Sequence, residues 1–158
     1  MGFCSKNEID KFGYNDCVIT KAQITDSEIN LELEALIVKA ANSQNTNFTD
    51  SYAGEAVCVL QEAGIDLVTK AGYRYYDAND NLIEEKPDEV VKLTDAELSE
   101  LISDTYLADI EKNDDGTYNL VSEEIKEDIS ENAEIYVIKV SCKDIIISWE
   151  RYMNRVQN

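Results

Sequence analysis

The sequence contains no histidine, a single proline (Pro87), only six glycines, and 14 basic residues against 33 acidic ones over its 158 residues. Each shortage excludes something. Without histidine there is no Ser–His or Cys–His nucleophile system and no imidazole ligand for zinc, iron or haem. The four cysteines, Cys4, Cys17, Cys58 and Cys142, are scattered and form no CxxC pair, so neither a zinc ribbon nor a dithiol redox motif is encoded. The phosphate-binding patterns GxGxxG and GxxxxGK[ST] are absent, as are the nucleophile patterns GxSxG and SxxK. The deficit of basic side chains opposes direct binding to nucleic acid or to an anionic membrane.

Hydrophobic runs are short as well. None approaches the roughly 18 residues of a transmembrane helix. The start, Met1-Gly2-Phe3-Cys4-Ser5-Lys6, lacks the apolar core of a secretory signal. It also carries Lys6 where a myristoylation signal has Ser or Thr. Cys58 and Cys142 lie among apolar neighbours and read as buried thiols of a reducing compartment. A cytoplasmic protein is the expectation.

What is present suffices for a folded core. Hydrophobic residues make up 44% of the chain, including nine tyrosines, three phenylalanines and Trp149. A chain of this length buries about two-thirds of its unfolded surface without disulfides or metals. One compact domain over residues 1–158 is expected. The net charge of −19 is unevenly spread: residues 77–134 hold 20 acids and only Lys86, Lys92, Lys112 and Lys126, a net of −16.

Patterning predicts a mixture of helices and hairpins. Residues 16–24 alternate β-branched and polar positions as a strand does. Residues 29–41 fit two periods. INLELEA alternates like a strand, whereas Ile29, Leu33, Leu36, Ile37 and Ala40 form a helical stripe behind Thr25-Asp26-Ser27-Glu28, a capping-box pattern; helix is preferred because Leu, Glu and Ala are strong helix formers. A polar loop follows at 42–47, then a helix over 50–63 ended by Gly64. Strand–turn–strand is predicted across Tyr73 to Glu85, a break at Pro87, and a helix behind the capping box of Thr94 and Glu97. Asn113-Asp114-Asp115-Gly116 signals a second hairpin, and Ser122 opens a short acidic helix through Ile129. Residues 134–141 form the clearest strand, expected to be central. Ser141 and Asp144 then open a C-terminal helix carrying Trp149, Tyr152, Met153 and Val156, with a strand through Ile145-Ile146-Ile147 as the alternative. The expected fold is α+β, an antiparallel sheet built from hairpins with about four to five helices.

Three constellations bear on chemistry. Asp77-x-Asn79-x-Asn81 has the oxygen spacing of a calcium loop, but Leu82 occupies the glycine position and Asp88 the glutamate position. The same residues suit a turn, which is the preferred reading. Pro87-Asp88 with Glu124-x-Lys126 matches the PD…ExK pattern of metal-dependent nucleases, yet the second element falls where a helix is predicted, so its side chains diverge. A carboxylate pair for acid/base catalysis needs burial and a raised pKa, which 33 acids alone do not indicate. No catalytic residue, cofactor or metal is therefore assigned.

The acidic region remains. Its expected exposed set is Glu84, Glu85, Asp88, Glu89, Asp95, Glu97, Glu100, Asp104, Asp114, Asp115, Glu123, Glu124, Glu127 and Asp128. Such carboxylates can stand in for phosphates and dock in a basic groove, releasing counterions as they do so. The expectation is a non-enzymatic binding protein, an inhibitor occupying the basic nucleic-acid-binding surface of a partner protein. Its composition resembles that of phage-encoded blockers of host defence nucleases, anti-CRISPR proteins among them. The alternative is a structural or scaffolding protein of a mobile element or bacterial assembly, whose acidity serves only solubility. A carboxylate- or metal-dependent enzyme ranks behind both. Tyr73, Tyr75 and Tyr76 are either interface anchors or a strand face on the core, the latter preferred.

Overall fold

A computed structural model describes residues 2–127 and 133–156. The described residues form sixteen strands, one α-helix and one 3-10 turn (Ile9–Lys11). In chain order the strands are β1 (Phe3–Lys6), β2 (Phe12–Gly13), β3 (Val18–Ile24), β4 (Glu28–Glu34), β5 (Ile37–Val38), β6 (Ser51–Ala53), β7 (Ala56–Gln61) and β8 (Gly64–Lys70). After them come β9 (Tyr73–Tyr76), β10 (Leu82–Lys86), β11 (Glu89–Val90), the helix α1 (Asp95–Ile102), β12 (Thr105–Lys112), β13 (Tyr118–Glu124), β14 (Ile135–Ser141), β15 (Asp144–Trp149) and β16 (Tyr152–Arg155). The fold is β-rich and sandwich-like. The α+β expectation with four to five helices is overturned.

All strand pairs are antiparallel. Ten strands form one sheet in the order β1-β15-β7-β4-β3-β12-β13-β14-β8-β11, and β16-β6-β5-β2 form a second. Side chains from both sheets and α1 share one core, in which Leu31, Leu36, Val38, Leu60, Leu107 and Val140 are fully buried. Trp149 joins the sheets: its ring stacks on Phe3 at 5.7 Å and meets Phe12 of β2 edge-on at 5.8 Å.

The missing helices have a common explanation. In β4, Ile29, Leu31 and Leu33 are buried while Glu32 and Glu34 are exposed, so alternation outweighs helix propensity once a sheet supplies partners on both sides. The capping-box pattern before it closes a hairpin instead: the Glu28 amide donates to Thr25 Oγ1 at 3.2 Å, and the Thr25 amide donates to the Glu28 carbonyl at 2.9 Å. The helix expected over 50–63 is β6 and β7, where Ala56, Cys58 and Leu60 point inward. Glu62, at φ 50°, takes the left-handed backbone expected of Gly64. The C-terminal helix is β15 and β16, so the strand alternative through Ile145-Ile146-Ile147 is the one observed. Ser122 is a buried member of β13 and opens no helix, and the remainder of that predicted helix extends beyond the described residues. Cys142 is half-buried, and the fully buried thiols are Cys17 and Cys58; burial pushes the Cys17 thiol up to about 12.

Other expectations agree with the structure: the strand expected over 16–24, observed as Val18–Ile24, the loop at 42–47, both hairpins, α1 with its box, and the strand expected over 134–141, observed as the interior strand Ile135–Ser141. In α1 the Glu97 amide donates to Thr94 Oγ1 at 3.1 Å and the Thr94 amide to Glu97 Oε1 at 3.0 Å. Leu98 and Ile102 turn inward, whereas Tyr106 belongs to the next strand.

The helix also solves an edge problem. β3 and β12 pair only at Ile19↔Thr105 and Val18↔Tyr106. Beyond Ile19 the open edge of β3 lies under α1, whose serines replace a neighbouring strand: the Ile24 amide donates to Ser99 Oγ at 3.1 Å and the Ala22 amide to Ser103 Oγ at 3.0 Å. A buried donor left unpaired costs about 1–3 kcal/mol. Urea denaturation should therefore show Ser99→Ala destabilised by about 1–3 kcal/mol, against about 2–5 kcal/mol for the cavity-forming Leu31→Ala. An unchanged midpoint for Ser99→Ala would show that the edge needs no such cover.

Candidate protein-binding surface

Strand register places most of the acidic set at one end of the large sheet. Glu124 lies opposite Thr105 and Glu123 opposite both Tyr106 and Ile135. Tyr136 of β14 pairs with Lys70 of β8, which pairs in turn with Glu89 of β11. Asp104 precedes Thr105, and Glu127 follows β13. Glu97 and Glu100 of α1 border a shallow apolar cleft with Val91, Leu93, Leu101 and Tyr136. Asp95 opens the helix at the end nearer Ile24. The set does not converge completely. Asp114 and Asp115 occupy the β12–β13 turn, at the opposite end of a seven-residue strand from Glu124, a separation of about 20 Å at ~3.3 Å per residue. Asp128 falls outside the described residues.

Of the thirteen described members of the set, only Glu123 and Glu124 are half-buried and the others are exposed. Several have local partners. Glu85 accepts from Arg74 Nε at 2.8 Å, Lys126 lies 3.1 Å from Glu124, and Lys139 lies 3.2 Å from Asp115. The neighbouring Glu134 is held below its ordinary pKa by Lys70, 3.0 Å away, with Tyr136 also donating to it. Pairs exposed to this degree contribute little to stability. Their effect is to neutralise some carboxylates and leave Glu84, Asp88, Glu89, Glu100 and Asp104 without an ion-pair partner among the described residues.

Between β8 and β11 the chain leaves the sheet as an arm. Among the described residues β9 and β10 pair only with each other, and every residue from 80 to 90 is exposed. The Tyr73 and Tyr75 rings lie 4.9 Å apart, tilted by 41°, and the Tyr73 hydroxyl donates to Glu84 at 3.0 Å. The reading of these tyrosines as a face packed on the core is corrected: Tyr73 and Tyr76 are exposed and Tyr75 is half-buried on the arm itself. At the root, the Gly72 amide donates to Asp88 Oδ1 at 2.7 Å, and a Cβ on Gly72 would overlap the Lys86 carbonyl and Pro87.

At the tip, Asp77 Oδ1 accepts from the amides of Asn79 at 2.8 Å and Asn81 at 3.0 Å. These bonds, that from Asn81 first, hold its carboxyl below the usual range. The Asp77-Asn79-Asn81 pattern thus builds a turn. Asp88 is bonded at the root of the arm and Glu124 to Lys126, each engaged separately. Among the described residues no group of three or more Cys, Asp or Glu is placed to hold a metal ion, and no helix is long and apolar enough to cross a membrane.

The apolar residues of the arm, Leu82 and Ile83, were not singled out by sequence reasoning. The available signal was that the β10 segment, Leu82-Ile83-Glu84-Glu85-Lys86, has no alternation that would bury one face. No family model matches this chain, and neither does any curated protein or solved structure.

Asp115 offers a local electrostatic test. The Thr117 hydroxyl and amide, then Lys139, lower its carboxyl to about 2 from an ordinary 3.8. Because the folded group binds its proton less readily than the unfolded one, the turn gains stability above about pH 3.8 and loses it as pH falls toward 2. Carboxyl NMR titration should find Asp115 among the lowest-titrating aspartates, moved upward by Thr117→Val; an ordinary value in the parent would disprove the network. For the arm root, Gly72→Ala should raise amide exchange across residues 73–86 while leaving β4 and β7 protected. Unchanged exchange there would mean the crossing at Gly72 is not tight.

Proposed function

We propose that this protein is a non-enzymatic binding protein that uses its acidic end to occupy a basic, nucleic-acid-binding surface on a partner protein, as an inhibitor of that partner. The supporting observation is the gathering of carboxylates from α1, β11, the end of β13 and the arm at one end of the large sheet, exposed except for the half-buried Glu123 and Glu124. Fixed carboxylates lose little conformational freedom on docking, and a clustered field accelerates encounter with a cationic groove. The partner class is a protein whose Lys/Arg surface binds nucleic acid, in the manner of the targets of phage-encoded anti-defence proteins. Asp114 and Asp115 lie outside this contact region.

The scaffolding alternative draws support from a different observation. The exposed arm and the edge strands β1 and β11 leave unpaired backbone that an assembly can extend. The two readings diverge in their dependence on salt. Raising salt from ~0.1 M to ~1 M shortens the Debye length from about 10 Å to about 3 Å. Affinity capture from the host lysate should recover a DNA- or RNA-binding protein at the lower salt, release it at the higher, and release it also with added duplex DNA. Reversing Glu97 and Glu100 to Lys should weaken capture far more than reversing Asp114. A partner retained at high salt and indifferent to DNA would reject the mimic and favour the scaffold.

A further inference from the structure

The arm poses a stability problem that the other described residues do not solve. A lone two-stranded hairpin is at best marginally stable in water, and stability requires a third strand or a packed face. Here neither is provided. Among the described residues both outer edges of β9 and β10 are unpaired, and Tyr76, Leu82 and Ile83 are 53%, 48% and 66% exposed. The register puts Tyr76 opposite Leu82, with the ladder shifting at Ile83, so the three apolar side chains cluster toward the tip. Apolar groups gathered on an unpacked element mark an interaction site.

Charge indicates what covers it. Glu84 and Glu85 on β10 and Asp88 and Glu89 just beyond it are all exposed and outnumber the two basic residues of the arm, Arg74, which is bound to Glu85, and the exposed Lys86. A second copy of this chain, carrying −19, would be repelled. A pocket that is apolar inside and lined at its rim by Lys or Arg complements both features.

From this arrangement we infer that the arm is the anchor of the complex: Tyr76, Leu82 and Ile83 enter an apolar pocket of the partner while Glu84 and neighbouring carboxylates meet a cationic rim. The inference rests on the proposed reading of the acidic end and divides the labour within it. Carboxylates set the encounter rate and its salt dependence, and the buried apolar tip sets the lifetime.

The test uses the full chain and peptides selected on it from a displayed random library. Enriched peptides should combine aromatic or aliphatic residues with flanking Lys or Arg. Tyr76→Ser with Leu82→Ser and Ile83→Ser should raise the off-rate at least about tenfold, as loss of a central anchor does, while leaving the on-rate and its salt slope in place. Ile83→Ser alone, at the register shift, should give part of that loss with the hairpin ladder retained. Glu97→Gln with Glu100→Gln should do the reverse, lowering the on-rate and the salt slope. Amides of residues 73–86 should gain exchange protection in the complex. An off-rate within twofold of the parent in the triple variant, or failure to enrich any arm-dependent peptide, overturns the anchor and leaves the acidic reading to stand on its own salt slope. Arm-dependent binding without any salt slope fails the acidic reading instead, and with it the cationic rim. Arm-dependent dimerisation of the free chain in sedimentation would assign the arm to a second copy and overturn the inference.

Discussion

The ten-stranded sheet is continuous through one narrow junction. β1, β15, β7, β4 and β3 make one half, β12, β13, β14, β8 and β11 the other, and the halves meet at two residue pairs. Two flanking backbone bonds extend the seam: the Asp104 amide donates to the Ile19 carbonyl at 2.8 Å, and the Leu107 amide to the Cys17 carbonyl at 2.9 Å. Thr105 locks it from inside. Its buried hydroxyl bonds the Ile102 carbonyl at 2.6 Å and the Ser122 hydroxyl at 2.8 Å. Every strand on the acidic side is positioned relative to the first half through this contact and the core beneath it. Low-dielectric surroundings strengthen such bonds, and they also make any unmet polar group costly.

The seam is also a boundary in charge. The first half carries the ordinary-looking sequence of the chain, with Leu31, Leu33, Cys58 and Ile147 packed inward. The second half, with α1 and the arm, carries most of the acidic excess. Mutual repulsion among those carboxylates opposes compaction, and the structure offsets it locally with lysines drawn from the same half: Lys70 on Glu134, Lys126 on Glu124 and Lys139 on Asp115. A folded half and a charged half are thus one sheet, and the field is carried on strands rather than on a tail.

How much of this was legible in the sequence depended on which signals were local. The Thr94–Glu97 box, the Asn113–Gly116 turn and the tyrosine hairpin are set by neighbours within four residues, and each was readable. Much of the sheet was not, although the strand at 16–24 and both hairpins were read, and bulges weaken the strand period even there. In β3 the register shifts after Ile19, and in β12 after Leu107, so the buried residues run Ile19–Ala22 and Leu107–Ile110 at a three-residue spacing. A bulge adds one residue to one strand, and the resulting spacing imitates a helical turn. At 29–41 and 144–156 the strand period was present in the letters, but the neighbouring strands that make it decisive come from distant parts of the chain. Of the candidate surface, exposure of the carboxylates was foreseeable. The separation of Asp114 and Asp115 from the rest was not, since it follows from the length and direction of β13.

The arm leaves and rejoins the body at Gly72 and Pro87, where backbone passes so close to backbone that no side chain fits between. The two connections therefore sit side by side at one corner of the sheet, and the strands between them pair with no other described strand. The hairpin is in effect a cassette. Its residues can diverge, lengthen or be exchanged without any adjustment of the core, while the junction that carries it tolerates almost no change. A chain built in this way can change its arm without changing how it folds.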